Sequence, residues 1–128
     1  MNTTLLVRFF QLVAVSILLP VGILKFQGNP VDVYIFTTLE MEPFGRFLIG
    51  AIEIGTALLL LTSAFCAVGA IMGIGIMCGA IIAHVTAIGL SVQGDGGTHI
   101  VLLASVLLSC SGIAYLRRKE IPIVGKLL

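Results

Sequence analysis

The sequence predicts an all-α fold: a four-transmembrane-helix bundle with both termini cytoplasmic. Three observations carry that expectation. The 128-residue chain is 59% hydrophobic and 10% charged, with a mean hydropathy of +1.19, whereas soluble domains carry about 25% charged residues. Four stretches, about 5–27, 45–65, 67–91 and 98–116, each reach the roughly 20 apolar residues that a bilayer crossing needs. Basic residues gather at the chain ends, with Arg8 at one and Arg117, Arg118, Lys119 and Lys126 against a single Glu120 at the other. By the positive-inside rule, both ends then face the cytoplasm.

The spans use most of the chain, so residues 1–128 read as a single membrane domain, multi-pass in the inner (plasma) membrane, with the lipid bilayer as its first partner. Long unbroken apolar runs lack the alternation of a transmembrane β-barrel. A net charge of +1 argues against nucleic acid as a partner.

The first span runs from Phe9 to Leu24 without a charge. That is longer than a signal-peptide core, and no A-x-A-like site follows before Lys25, so it is expected to remain a helix. Pro20 is expected to kink it. The outer loop 28–44 carries Asp32, Glu40 and Glu42 among apolar residues such as Tyr34, Phe36 and Phe44. Pro30 is placed to open a short helix there, and the segment reads either as a lid or as an interfacial anchor. A short connection around Thr62–Cys66 makes the second and third spans antiparallel neighbours. The third span holds Gly69, Gly73, Gly75, Gly79 and Ala83 at small-x-x-x-small spacing, which suits either homodimerisation or packing within one bundle. The outer connection 92–97 contains Asp95, and the cytoplasmic tail is 117–128. Cys66, Cys78 and Cys110 form no C-x-x-C, so the signature of a thiol-disulfide exchanger is missing.

Depth organises the polar residues. In IGAIEIGTALLLL (49–61), Glu53 is the lone charge, roughly 12 Å below the outer end of its span. His84 lies roughly 10 Å below the outer end of the third span. Lys25 closes the first span on that side, His99 opens the fourth, and Arg46 stands at the rim. Ionisable groups inside a membrane usually face the bundle interior and pair with one another, and the Lys25 stem is long enough to reach down to Glu53. His84 is the second candidate partner. Lys25, Glu53, His84, His99 and Arg46 therefore read as the lining of an outward-side polar pocket. Apolar walls with a few polar groups suit an amphiphilic small molecule. Plainer readings also stand: Lys25 snorkelling to the headgroups, His84 satisfied by packing, His99 as a wet helix start.

Other chemistries fit less well. A metal site needs three or four converging ligands, and the carboxylate and histidines are expected at unequal depths. A bis-histidine haem fails because His99 is expected roughly 8 Å or more above His84. No catalytic constellation is visible, and the inner half is too apolar for an ion channel.

Several stretches together resemble the DoxX-like superfamily of small four-helix integral membrane proteins. They are Arg8 in a short lead, GILKF (22–26), IGAIEIG (49–55), the glycine-rich third span and YLRRK (115–119). The resemblance covers nearly the whole chain, and GILKF and IGAIEIG carry most of its specificity. It implies a membrane subunit of a quinone-linked redox complex, binding a quinone-like or lipid-like molecule, with Lys25 and Glu53 at the family's lysine and glutamate positions. More distant relatives, similar to a chaperone for nicotinic receptor assembly, imply instead an assembly factor that engages a partner's transmembrane helix. His84 and His99 match the histidine positions of that branch less closely.

Overall fold

A computed structural model describes residues 2–128. Its helices in chain order are α1 (Thr3–Phe26), α2 (Pro30–Thr38), α3 (Phe44–Leu61), α4 (Cys66–Ala83), α5 (Thr98–Leu116) and the short α6 (Val124–Leu127). The four long segments Thr3–Phe26, Phe44–Leu61, Ser63–Ile88 and Thr98–Leu116 are long and apolar enough to cross a membrane. They pack as a ring in which α1 touches α3 and α5, and α4 touches α3 and α5.

In lipid there is no hydrophobic drive to bring helices together, so close backbone approach and interhelical bonds must hold them. Each seam of this ring has a glycine at its contact. A Cβ on Gly22 would stand 2.7 Å from Ile54 Cγ1 and 3.0 Å from the Gly50 carbonyl. On Gly69 it would lie 2.9 Å from the Leu60 nitrogen, on Gly73 2.5 Å from Cys110 Sγ, and on Gly112 2.6 Å from the Phe10 ring. Leu18, Ala57, Leu60, Ala70, Met77, Val106 and Ile113 fill the centre. Large side chains such as Leu12, Leu58, Ile82 and Leu108 are left exposed on the outside of the ring, where a bilayer would contact them. Gln11 adds a buried polar staple, donating to the Leu60 carbonyl at 2.6 Å. That carbonyl lies in the last turn of α3, where helix acceptors lack an internal donor.

The chain turns out of α1 by a glycine-ended cap. Gly28 takes φ +72°, its N–H donates to the Lys25 carbonyl, and Asn29 N–H donates to Leu24, the paired bonds of a Schellman motif. Pro30 then opens α2, where its missing N–H costs nothing. Ile35 and Phe36 of α2 bury against Val92, Ile49 and Ile88, forming a small second core over one end of the bundle.

Within segment 28–44, the short helix that Pro30 is placed to open is α2, Pro30–Thr38. The third span stops at Ile88, not 91: α4 relaxes into a π-helical turn, His84–Ile88, in which Gly89 N–H reaches back to the His84 carbonyl at 2.7 Å. Gly89, at φ 96° and ψ 162°, adopts a conformation that only glycine takes readily, and this ends the helix. Pro20 lies inside α1, which is assigned as one helix from Thr3 to Phe26.

Candidate functional site

The crossing of α1 and α3 at Gly22 and Gly50 determines what Lys25 can reach. A Cβ on Gly50 would stand 3.1 Å from Lys25 Cβ, so the lysine enters the bundle one helical turn from Glu53. Its Nζ lies 3.0 Å from Glu53 Oε2 and 3.3 Å from Asp32 Oδ1. All three residues are buried, at 6%, 3% and 4% exposure. Asp32 comes from the first turn of α2, and its other oxygen accepts from Asn29 Nδ2 at 3.0 Å. One ammonium thus stands between two carboxylates, a formal deficit of one positive charge. Lys25 Nζ is thus the donor that Glu53 Oε2 has, a charge-assisted contact at 3.0 Å.

The histidines meet across the α4–α5 side. Their rings stack with centroids 5.1 Å apart and 19° between planes. The expected separation of roughly 8 Å fails because the π turn and Gly89 shorten the third span, so His84 sits nearer its end. Nδ1 of His84 is 2.8 Å from the Ala80 carbonyl. A carbonyl only accepts, so that nitrogen carries the proton and Nε2 of the neutral ring is an acceptor. His84 is 2% exposed, and Nε2 has no partner.

Asp95 holds the other ring's helix. Its carboxylate accepts from Val92 N–H at 3.0 Å, Gly97 N–H at 2.8 Å and His99 N–H at 2.9 Å. Those bonds, His99's foremost, hold the Asp95 carboxyl below the usual aspartate range. The loop is therefore closed by an ionised aspartate that fixes where α5, and with it His99, begins.

A cavity of about 360 Å³ joins these groups, at the lower end of the ~300–1,000 Å³ usual for ligand pockets. Lys25, Asp32, Glu53, His84 and His99 make its polar end, and Ile35, Phe36, Leu39, Ile49, Ile76 and Leu103 contribute apolar wall. Gly75 and Gly79 of α4 also line it, are exposed, and would have nothing within 4 Å of an added Cβ. At these two glycines α4 has left its neighbour, and the cavity opens sideways between helices.

Comparison of the chain with family models, curated proteins and solved structures found no match. The site therefore has to be read from its own chemistry.

Of the residues expected in the pocket, Lys25, Glu53, His84 and His99 line the cavity and Arg46 does not. Arg46 is caught by Glu42 one turn earlier, at 2.7–2.9 Å, and donates to the Lys25 carbonyl. It also lies over the Phe47 ring at 4.6 Å. Its work is to tie the end of α1 to the start of α3. Asp32 was missed as a site residue because its charge counted only toward topology. The available signal was Asn29-Pro30-Val31-Asp32, a helix start that carries an acid in its first turn, just after the Lys25 turn.

A second cavity of about 330 Å³ lies at the end with the termini, lined in part by Arg8, Gln11, Arg117 and Glu120. There Arg117 pairs with Glu120 at 2.5 Å and donates to the Ser63 carbonyl at 3.0 Å.

Proposed function

We propose that this chain is a DoxX-like membrane protein that takes a quinone-like or lipid-like molecule from the bilayer and holds its polar end at the Lys25 cluster. The observation that carries the reading is the shape of the cavity, with apolar walls, a buried polar end and a side opening at Gly75 and Gly79. An amphiphile already in the membrane enters such a site without crossing water. The basic residues Arg8, Arg117, Arg118, Lys119 and Lys126 favour an orientation with both termini in the cytoplasm, so the pocket faces outward from an inner membrane. The resemblance of GILKF and IGAIEIG extends the reading to a subunit of a membrane redox complex, with the quinone-like molecule as its cofactor.

The test is mass spectrometry of small molecules that co-purify with the wild-type chain and with Gly79→Leu. The substitution enters open space, so the protein is expected to fold and melt normally while its side chain blocks the mouth. A single amphiphile retained by wild type and lost from the variant supports the site; equal retention in both removes it.

A second reading, an assembly factor that engages a partner's transmembrane helix, or a homodimer through α4, is favoured by one observation. Gly75 and Gly79 present an unpartnered small-residue face, the kind against which another helix packs closely. Under this reading Gly79→Leu abolishes cross-linking to a second helix and leaves the small-molecule content unchanged.

A further inference from the structure

We infer that the head group selected by the cavity is a neutral hydrogen-bond donor: a hydroxyl carried on an apolar body. The inference rests on the cavity being a ligand site, and it names the chemistry that site takes.

Among the described residues, His84 Nε2 is a fully buried side-chain polar atom with no hydrogen-bond partner, whereas buried Glu53 Oε2 has Lys25 Nζ at 3.0 Å. His84 lines the cavity, and its Nε2 is an acceptor because the ring proton is committed to Ala80 at 2.8 Å, with the ring braced by the His99 stack. Lys25 is the one donor among the charged groups, and it is already shared between Glu53 and Asp32. A buried acceptor left without a donor is unfavourable, so His84 Nε2 calls for a hydrogen rather than a lone pair.

Three classes of head group are thereby ranked. A quinone or an ester brings only acceptors and has no hydrogen to offer His84 Nε2. An anionic head adds negative charge to a group that already has two carboxylates for one ammonium. An ammonium would suit that charge, but the mouth at Gly75 and Gly79 opens midway along α4, at a depth where carrying a full charge is costly. A hydroxyl passes that mouth cheaply and can donate to His84 Nε2. A hydroquinone, with two hydroxyls, and an acylglycerol, with a free glycerol end, are the two sources of this chemistry.

The experiment titrates the full chain in detergent with two probe series. One is decylhydroquinone, its quinone and its dimethyl ether; the other is monodecanoylglycerol and its dimethyl ether. Decylamine is the charged control. The expected result is that the hydroxyl form of at least one series binds about tenfold or more tighter than its capped or oxidised form, the ratio carried by one satisfied buried acceptor. The series that shows the ratio identifies the source. His84→Asn keeps an amide near the Ala80 carbonyl but removes Nε2, and it is expected to shrink the ratio to below about threefold. The probe comparison needs only the wild-type chain, so a variant that fails to fold leaves the test intact. If quinone and ethers bind as tightly as the hydroxyl forms, or decylamine binds tightest, the donor inference is overturned while the ligand site stands. If no probe binds and Gly79→Leu leaves the co-purified molecules unchanged, the ligand site itself falls.

Discussion

Lys25 is the one positive group in contact with two buried carboxylates, so its removal and theirs should be unequal in effect. Breaking a buried ion pair by deleting one partner costs about 3–5 kcal/mol, because the other charge is left uncompensated. Glu53→Gln takes away one carboxylate, but the ammonium keeps Asp32 at 3.3 Å, so the expected loss is smaller, about 1–2 kcal/mol. Lys25→Met leaves both Asp32 and Glu53 without a cation and is expected at the upper end, about 4–5 kcal/mol. Combining the two should cost less than their sum by about 1–3 kcal/mol, since Gln no longer needs the missing charge. Unfolding free energies from SDS titration in mixed micelles, read by helical circular dichroism, give all three numbers. A Lys25→Met loss within about 1 kcal/mol of Glu53→Gln, or strictly additive losses, would refute the bridging role. Lys25 would then be a residue whose charge escapes to water, as a snorkelling lysine does.

Two further outcomes separate the parts of the architecture. Gly22→Ala forces a Cβ to 3.0 Å from the Gly50 carbonyl and should destabilise by about 1–2 kcal/mol despite the gain in helix propensity. Gly79→Ala meets open space and should instead stabilise by up to about 1 kcal/mol; shifts of the same sign in one unfolding assay would remove the distinction between seam and cavity glycines. Asp95 has a folded-state pKa below its ordinary value, so its contribution is present above the ordinary carboxyl range and is lost as pH falls through the depressed value. Hydrogen exchange of residues 89–99 should therefore be slower in wild type than in Asp95→Asn at neutral pH. The two should converge at the most acid pH, and a difference that persists or grows on acidification counts against the carboxylate as the clasp.

The four helices were legible because bilayer thickness fixes a length that apolar runs must reach, and the observed spans lie close to those limits. Positions along straight helices were legible for the same reason, which is how Lys25, Glu53, His84 and His99 came to one end of the bundle. What failed was each inference that assumed regular geometry beyond a glycine or past a local partner. Gly89 fell inside the span expected at 67–91, yet its positive φ ends the helix there and brings His84 within stacking distance of His99. Arg46 shares the Glu53 face by its seven-residue spacing, but Glu42 at four residues is nearer and takes it. Asp32 lies in a segment whose short helix has no clear apolar face, so no periodicity announced that one of its acids points inward.

The glycines of α4 show why the polar cluster and the cavity occur at the same end. Gly69 and Gly73 press against α3 and α5 and close the bundle toward the end with the termini; further along α4, an added Cβ on Gly75 or Gly79 would meet nothing within 4 Å. The same residue type therefore first draws helices together and then, where α4 and α3 diverge, leaves room between them. A diverging helix pair would expose polar groups to lipid unless something roofed them, and α2 does this with Ile35 and Phe36 while sending Asp32 inward to Lys25. Tight packing at one end and a covered gap at the other are thus two consequences of one spacing along α4. Residues with unmet hydrogen-bonding capacity can persist only in the gap.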